Sequence, residues 1–269
     1  MSTSSDMFHQ NREMAESYGA DAERYDRART SFPPALIEAI TSSAPATAVD
    51  VGCGTGVVAR LLQETGCQVL GVEPDERSAA YARSRGLDVE VSTFEAWDPA
   101  GRLFDAVVAG RTWHWIDPLA GAVKAATALR PGGRLTIFWN ASETPTELAQ
   151  AFLEINRRMF PDNATLLKNS TSTFESCSRG VTKAADNIRE AGGFAEPDFL
   201  RFDWERTYTR DEWLDVLPTL SAYTRLPSGR RDELIAAMGD AVDTYGGSFS
   251  MQYATLAVTA TRNQGDSRE

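Results

Sequence analysis

The chain has 269 residues, a formal net charge of −11 and 42% hydrophobic residues. That composition supports a packed core rather than an extended disordered chain. The acidic balance argues against nucleic acid or an anionic membrane as the main partner. No run of about eighteen apolar residues occurs, so no segment is expected to span a bilayer.

The opening MSTSSDMFHQNREMAESYGA lacks the apolar centre of a secretion signal. Cys53, Cys67 and Cys177 stand at no paired or metal-type spacing, and an odd count suits a reducing compartment. His9 and His114 are the two histidines and lie in no local ligand motif, so no metal is expected. The reading is a cytoplasmic protein of open oligomeric state.

In chain order, Arg12–Thr30 reads as helical with a break at SYGA, and SFPP marks a boundary, since proline ends helices and opens new ones. Residues 1–32 are therefore expected to form an N-terminal helical lid. From Pro34 short apolar runs alternate with helical stretches. The runs are Ala46–Val51, Gln68–Val72, Leu87–Val91, Phe104–Gly110 and Arg134–Trp139; the helical stretches are Val57–Glu64, Glu76–Ser84 and Leu119–Leu129. Strands without polar alternation are those buried on both faces, as in a parallel sheet covered by helices. The expected fold is α/β: a doubly wound, Rossmann-like, mainly parallel sheet with an antiparallel C-terminal edge strand and a helical cap. A cofactor-binding core would span 33–140.

Residues 141–247 read as a variable region holding the cap and a strand at Phe199–Thr209. Ser248–Thr261 reads as the last strand within 248–262, and 263–269 as a disordered tail. Phe152, Phe160, Trp204, Trp213 and Tyr223 in this half could line an apolar pocket or make ordinary core.

The stretch AVDVGCGTGVVARLL asks what must lie against so many glycines. A strand that enters a glycine-rich turn and leaves as a helix brings backbone close to a ligand at the helix N-terminus. Gly52, Gly54 and Gly56 make G-x-G-x-G, and Val57 stands where a dinucleotide fingerprint wants another small residue. Seventeen residues after Gly56, the second strand ends in VEPD. There Glu73 could accept from both hydroxyls of a ribose or be a solvated strand-end acid, and Pro74 could wall an adenine slot.

VDVGCGTG, VEPD, STFEAWD, FDAVVAGRTWHWID and LRPGGRL occur in this order between Ala46 and Trp139. With these marks the chain resembles a class I S-adenosylmethionine-dependent methyltransferase of the small-molecule type. The resemblance implies S-adenosyl-L-methionine as cofactor. Asp50 and the backbone of Gly52, Cys53 and Gly54 would face its methionine end, and Glu73 its ribose. Thr93, Phe94 and Glu95 would border the adenine, with Thr93 standing where the family often has Asp. Gly110 and Arg111 would pass beneath the sulfonium, while Tyr18, Tyr25 and Arg29 would cover the cofactor.

Methyl transfer from a sulfonium neutralises charge, so the protein must align groups and exclude water rather than build an oxyanion hole. TWHW places Trp113, His114 and Trp115 just past the fourth strand, where open α/β sheets put their ligand crevice. His114 could take a proton from an oxygen or nitrogen nucleophile, or simply wall the site. The expected activity is methyl transfer to O or N of a small, apolar or aromatic acceptor. A nicotinamide-dependent oxidoreductase and a non-catalytic cofactor-binding protein are the rival readings.

Overall fold

The computed structural model describes residues 19, 21–168, 173–224 and 226–264. Five parallel strands carry the apolar runs: β1 (Thr47–Val51), β2 (Gln68–Glu73), β3 (Asp88–Val91), β4 (Phe104–Gly110) and β5 (Leu129–Glu143). Two more, β6 (Asp198–Thr209) and β7 (Ser248–Thr261), pair antiparallel, and the seven-stranded order is β3-β2-β1-β4-β5-β7-β6. The late strands are thus an edge pair, but the chain's last strand is not the edge. β7 lies between β5 and β6 because its long buried run from Tyr253 to Ala260 needs cover on both sides. β6 alternates in burial along most of its length, which suits an outer strand. β5 also runs beyond the expected Arg134–Trp139, since β7 pairs with it as far as Glu143.

Consecutive residues of the central strands feed opposite faces of the sheet. Val49, Val107 and Ile137 pack with α5 (Pro118–Ala128) and α8 (Phe174–Ala191) through Ala122, Ala125, Ala185 and Ile188. On the other face Ala48, Val108 and Phe138 pack with Leu36 of α2 (Pro34–Thr41), Leu62 of α3 (Val57–Gln63) and Ala82 of α4 (Glu76–Ser84). A third core builds the cap. It joins Phe152 of α6 (Thr146–Met159), Trp213 of α9 (Arg210–Val216) and Leu234 of α11 (Ser228–Tyr245) to Phe249 of β7. Two short helices, α7 (Ala164–Lys168) and α10 (Ser221–Thr224), lie between these.

Of the proposed lid, residues 19 and 21–32 are described, and they include the helix α1 (Ala22–Ala28). Asp21 caps it by accepting from the Arg24 N–H at 3.1 Å. Asp26 ties it to the core through Arg60 at 2.6 Å, and Arg27 forms a two-pronged ion pair with Asp215 of the cap at 2.9 and 3.0 Å. Residues 1–18, with Tyr18 and His9, lie outside the described residues, as do 265–269 of the tail. Asn263, placed in the tail by the sequence reading, is held: its N–H donates to the Gly193 carbonyl at 2.9 Å. Among the described residues no helix is long and apolar enough to cross a membrane, and no His, Cys, Asp and Glu cluster forms a metal site.

Candidate active site

The carboxyl ends of β1, β2, β4 and β5 open onto a cleft of about 500 Å³ that continues under the cap. One half of it begins at the turn after β1. The Gly52 N–H donates to the Val72 carbonyl at 2.7 Å, which binds the turn to the neighbouring strand. Gly54 has φ +54, and a Cβ built there meets nothing within 4 Å, because the position faces the open cleft. A side chain would therefore be strained and would fill the cradle, and only glycine leaves backbone available to a ligand. Thr55 Oγ1 beside it is buried, lines the cleft and has no partner among the described residues.

Glu73 ends β2 and reaches back over this turn. Its carboxylate accepts from the Gly54 N–H at 2.8 Å and from the Asp75 N–H at 3.0 Å. Pro74, Thr93, Phe94 and Glu95 continue the wall, and the Asp117 N–H donates to Glu95 at 2.8 Å. Tyr25 and Arg29 close the opposite side, with the Arg29 guanidinium 5.4 Å from the Tyr25 ring centre. The Arg29 and Arg111 cations draw the Tyr25 phenol below its ordinary pKa, against burial, which raises it.

Asp50, assigned to this site, lies behind the wall instead. Asp50 is 1% exposed and accepts from the Ala59 N–H at 3.1 Å, so it holds the first turn of α3 rather than facing the cleft. Burial, reinforced by the Glu73 charge, pushes its carboxyl up to about 8. Cys53 turns its sulfur toward Gly71 of β2, where a Cβ would come within 2.6 Å of it. Its small side chain fills a crowded turn and does no chemistry there.

Gly110 and Arg111 end β4. Arg111 takes φ +59, unusual for a side-chain-bearing residue and costly by about 1–3 kcal/mol. Its N–H donates to the Phe138 carbonyl at 2.8 Å and its Nη1 to the Thr30 carbonyl at 2.6 Å. The guanidinium stands 4.8 Å from the Phe32 ring centre. Such bonds hold the backbone in place and fix the guanidinium against Thr30 and Phe32.

The TWHW segment forms one 3-10 turn, Trp113–Trp115. Trp113 packs inward, 3% exposed, whereas His114 and Trp115 face the cleft with ring centres 4.6 Å apart. The Trp139 indole N–H donates to His114 Nδ1 at 3.2 Å. The histidine ring is open to the cleft, but the cleft is deep inside the molecule, and this burial lowers its pKa to about 4.

Beyond His114 the cleft widens beneath the cap. Phe152, Trp213 and Tyr223 line it, and Phe152 stacks on Trp213 at 6.0 Å. Phe160 and Trp204 do not. Phe160 packs under the Arg230 guanidinium, and Trp204 stacks on Tyr253 at 4.5 Å while its indole N–H donates to Thr255. Sequence reasoning missed Trp139, Asn140 and Tyr253 in the lining. Trp139 stands at the carboxyl end of β5, a position the strand-end rule could have flagged. Tyr253 had no such signal, because an antiparallel strand brings its beginning to that edge.

Residues 49–137 match the family described as a methyltransferase domain. An uncharacterized methyltransferase of Mycobacterium tuberculosis is 34% identical over 137 residues, covering 49% of this chain and 55% of the relative. The malonyl-[acyl-carrier protein] O-methyltransferase of Enterobacter lignolyticus is 32% identical over 127 residues, covering 46% and 51%. The likeness to a methyltransferase domain thus rests on residues 49–137. The chain spans about half the length of these curated relatives. A type II methyltransferase candidate from Anaeromyxobacter dehalogenans shares the fold over 86% of this chain and 97% of its own, with 21% identity and a TM-score of 0.62. The matched segment holds the glycine turn, Glu73 and the TWHW turn; the cap lies outside it.

Proposed function

We propose that the protein transfers a methyl group from S-adenosylmethionine to oxygen or nitrogen of a small acceptor with an apolar or aromatic body. The observation that carries this reading is the continuity of one cleft, from Gly54 and Glu73, past His114 and Trp115, to Phe152 and Trp213. A donor seated on the turn and an acceptor seated under the cap would meet at the histidine.

The residues present fit the donor. The Gly54 cradle, the unpartnered Thr55 hydroxyl and the Glu73 carboxylate suit a ligand with amino-acid and ribose parts. Gly52 and Gly54 would edge its methionine, Glu73 its ribose, Thr93, Phe94 and Glu95 its adenine, with Tyr25 and Arg29 as cover. When bound, it supplies a methyl group on a cationic sulfur. Trp115 offers an aromatic face to such a cation. The cap and α1 exclude water and hold the acceptor in line, and most of the acceleration would come from that positioning.

A nicotinamide oxidoreductase is disfavoured by Val57 and by the later motifs. Incubating lysate with isotopically labelled S-adenosylmethionine and this protein, then finding labelled small molecules by mass spectrometry, tests the reading. The result expected is one dominant labelled product; cofactor binding with no labelled product across broad extracts would favour a non-catalytic role.

A further inference from the structure

Burying a hydroxyl without a hydrogen-bond partner is destabilising, so such a group in a cleft wall marks a place for a ligand's polar atom. Under the cap, Tyr223 of α10 is such a group. It lines the cleft and is 7% exposed, and its hydroxyl has no partner among the described residues. Burial raises its pKa, so the phenol keeps its proton. Asn140, Ser142, Thr144 and Tyr253 also line the cleft, but each of them bonds within the fold. The Trp213 indole N–H lacks a partner too. That atom is itself buried, in a ring packed against Phe152, Tyr208 and Phe249.

The surroundings of Tyr223 narrow the ligand's chemistry. The same cap core brings Phe152, Val216, Leu217 and Met251 to the cleft. Among the described residues, the side chains of permanent charge that line the cleft are Arg29, Glu73, Glu95 and Arg111. They come from the strand ends, the segment after β3 and the end of α1, not from the cap. An ion held beside Tyr223 would lose its water and meet no counter-charge from those residues. A phenol can donate or accept, and its proton is the stronger half, because the ring draws on the oxygen lone pair.

We infer that the acceptor is an uncharged molecule with a carbonyl or ether oxygen on its apolar or aromatic body, and that the Tyr223 hydroxyl donates to that oxygen. The inference rests on the methyl-transfer reading above. The oxygen is an anchor and not the methylated atom, because Tyr223 belongs to the cap core and not to the strand-end wall that would seat the donor. An ammonium in its place would exchange its hydration for one neutral hydroxyl.

The test is calorimetry on the full chain saturated with S-adenosylhomocysteine, for wild type and Tyr223→Phe. The probes are 4-phenylbutan-2-one, its hydrocarbon isostere 3-methylbutylbenzene and its ammonium isostere 4-phenylbutan-2-amine. Binding of S-adenosylhomocysteine is measured first. Its failure overturns the methyl-transfer reading, and the same titrations on the chain alone then still decide the role of the hydroxyl. Tyr223→Phe keeps the ring and removes only the hydroxyl. The ketone should bind it about fivefold more weakly than wild type, and the hydrocarbon should stay within about twofold. Wild type should bind the ketone at least about tenfold tighter than the ammonium. The melting temperature of unliganded Tyr223→Phe should equal or exceed that of wild type, because no bond within the fold is lost. A fall would show the hydroxyl holding the fold and would overturn the inference. So would an equal change for ketone and hydrocarbon, no binding of the ketone, or an ammonium bound as tightly as the ketone.

Discussion

The Glu73 carboxylate accepts the Gly54 N–H at 2.8 Å, so the end of β2 and the turn after β1 are one unit. The acid therefore shapes the turn as well as facing the cleft. Glu73→Ala should weaken S-adenosylmethionine binding by about 2 kcal/mol, because charge-assisted bonds to the ribose and the support of the turn are lost together. Glu73→Gln should lose less, since the amide oxygen still accepts one N–H. Calorimetry on both variants checks the order.

Gly54 and Gly110 should separate binding from folding. A Cβ at Gly54 would stand in open cleft, whereas at Gly110 it would come within 2.8 Å of Phe138 and 2.9 Å of Val58 in the core. Gly54→Val should abolish cofactor binding at a backbone cost of about 1–2 kcal/mol, with the fold kept. Gly110→Ala should lower the melting temperature more, by crowding a packed core. Thermal melts beside binding isotherms distinguish the two.

The parallel half of the fold and the residues at the β1–β2 end of the cleft were legible because their signals are local. Continuous apolar runs mark β1, β2 and β4, and a glycine turn followed by an acid marks a ligand. Asp50 was assigned through its place in the motif, yet it holds the first turn of α3; facing direction is not written in spacing. The order of β6 and β7 and the Trp139–His114 bond depend on pairings across more than twenty residues, which periodicity does not report. In the cap, Phe152 and Phe160 sit on one helix and its end, and only packing decides which of them reaches the cleft.

Asp50 predicts a dependence on pH. Its folded pKa of about 8 lies above the ordinary carboxylate value, so between roughly pH 4 and 8 the folded chain holds a proton that the unfolded chain has released. Stability from this group therefore falls as pH rises through that window. Asp50→Asn keeps an acceptor for the Ala59 N–H and removes the titration. The melting temperature of the wild type minus that of the variant should decline from pH 5 to 8; a flat difference would refute the buried, proton-holding carboxyl.

Helix α1 joins the cap through Arg27 and Asp215 and the core through Asp26 and Arg60, and it carries Tyr25 over the cleft. Cofactor beneath it should slow amide exchange across Ala22–Ala28. Asp215→Asn should speed that exchange in the absence of cofactor, and S-adenosylhomocysteine should restore part of the protection. Exchange measured by mass spectrometry with and without the ligand reads both effects.

The central claim is that the turn at Gly52–Gly54 and the Glu73 carboxylate together hold S-adenosylmethionine. Isothermal calorimetry with S-adenosylmethionine, S-adenosylhomocysteine and NAD on the same preparation tests it most directly. Micromolar affinity for the first two, on the order of −7 to −9 kcal/mol, with NAD far weaker, is the expected result. Tighter binding of NAD, or no binding of either methionine-bearing nucleoside, would contradict it.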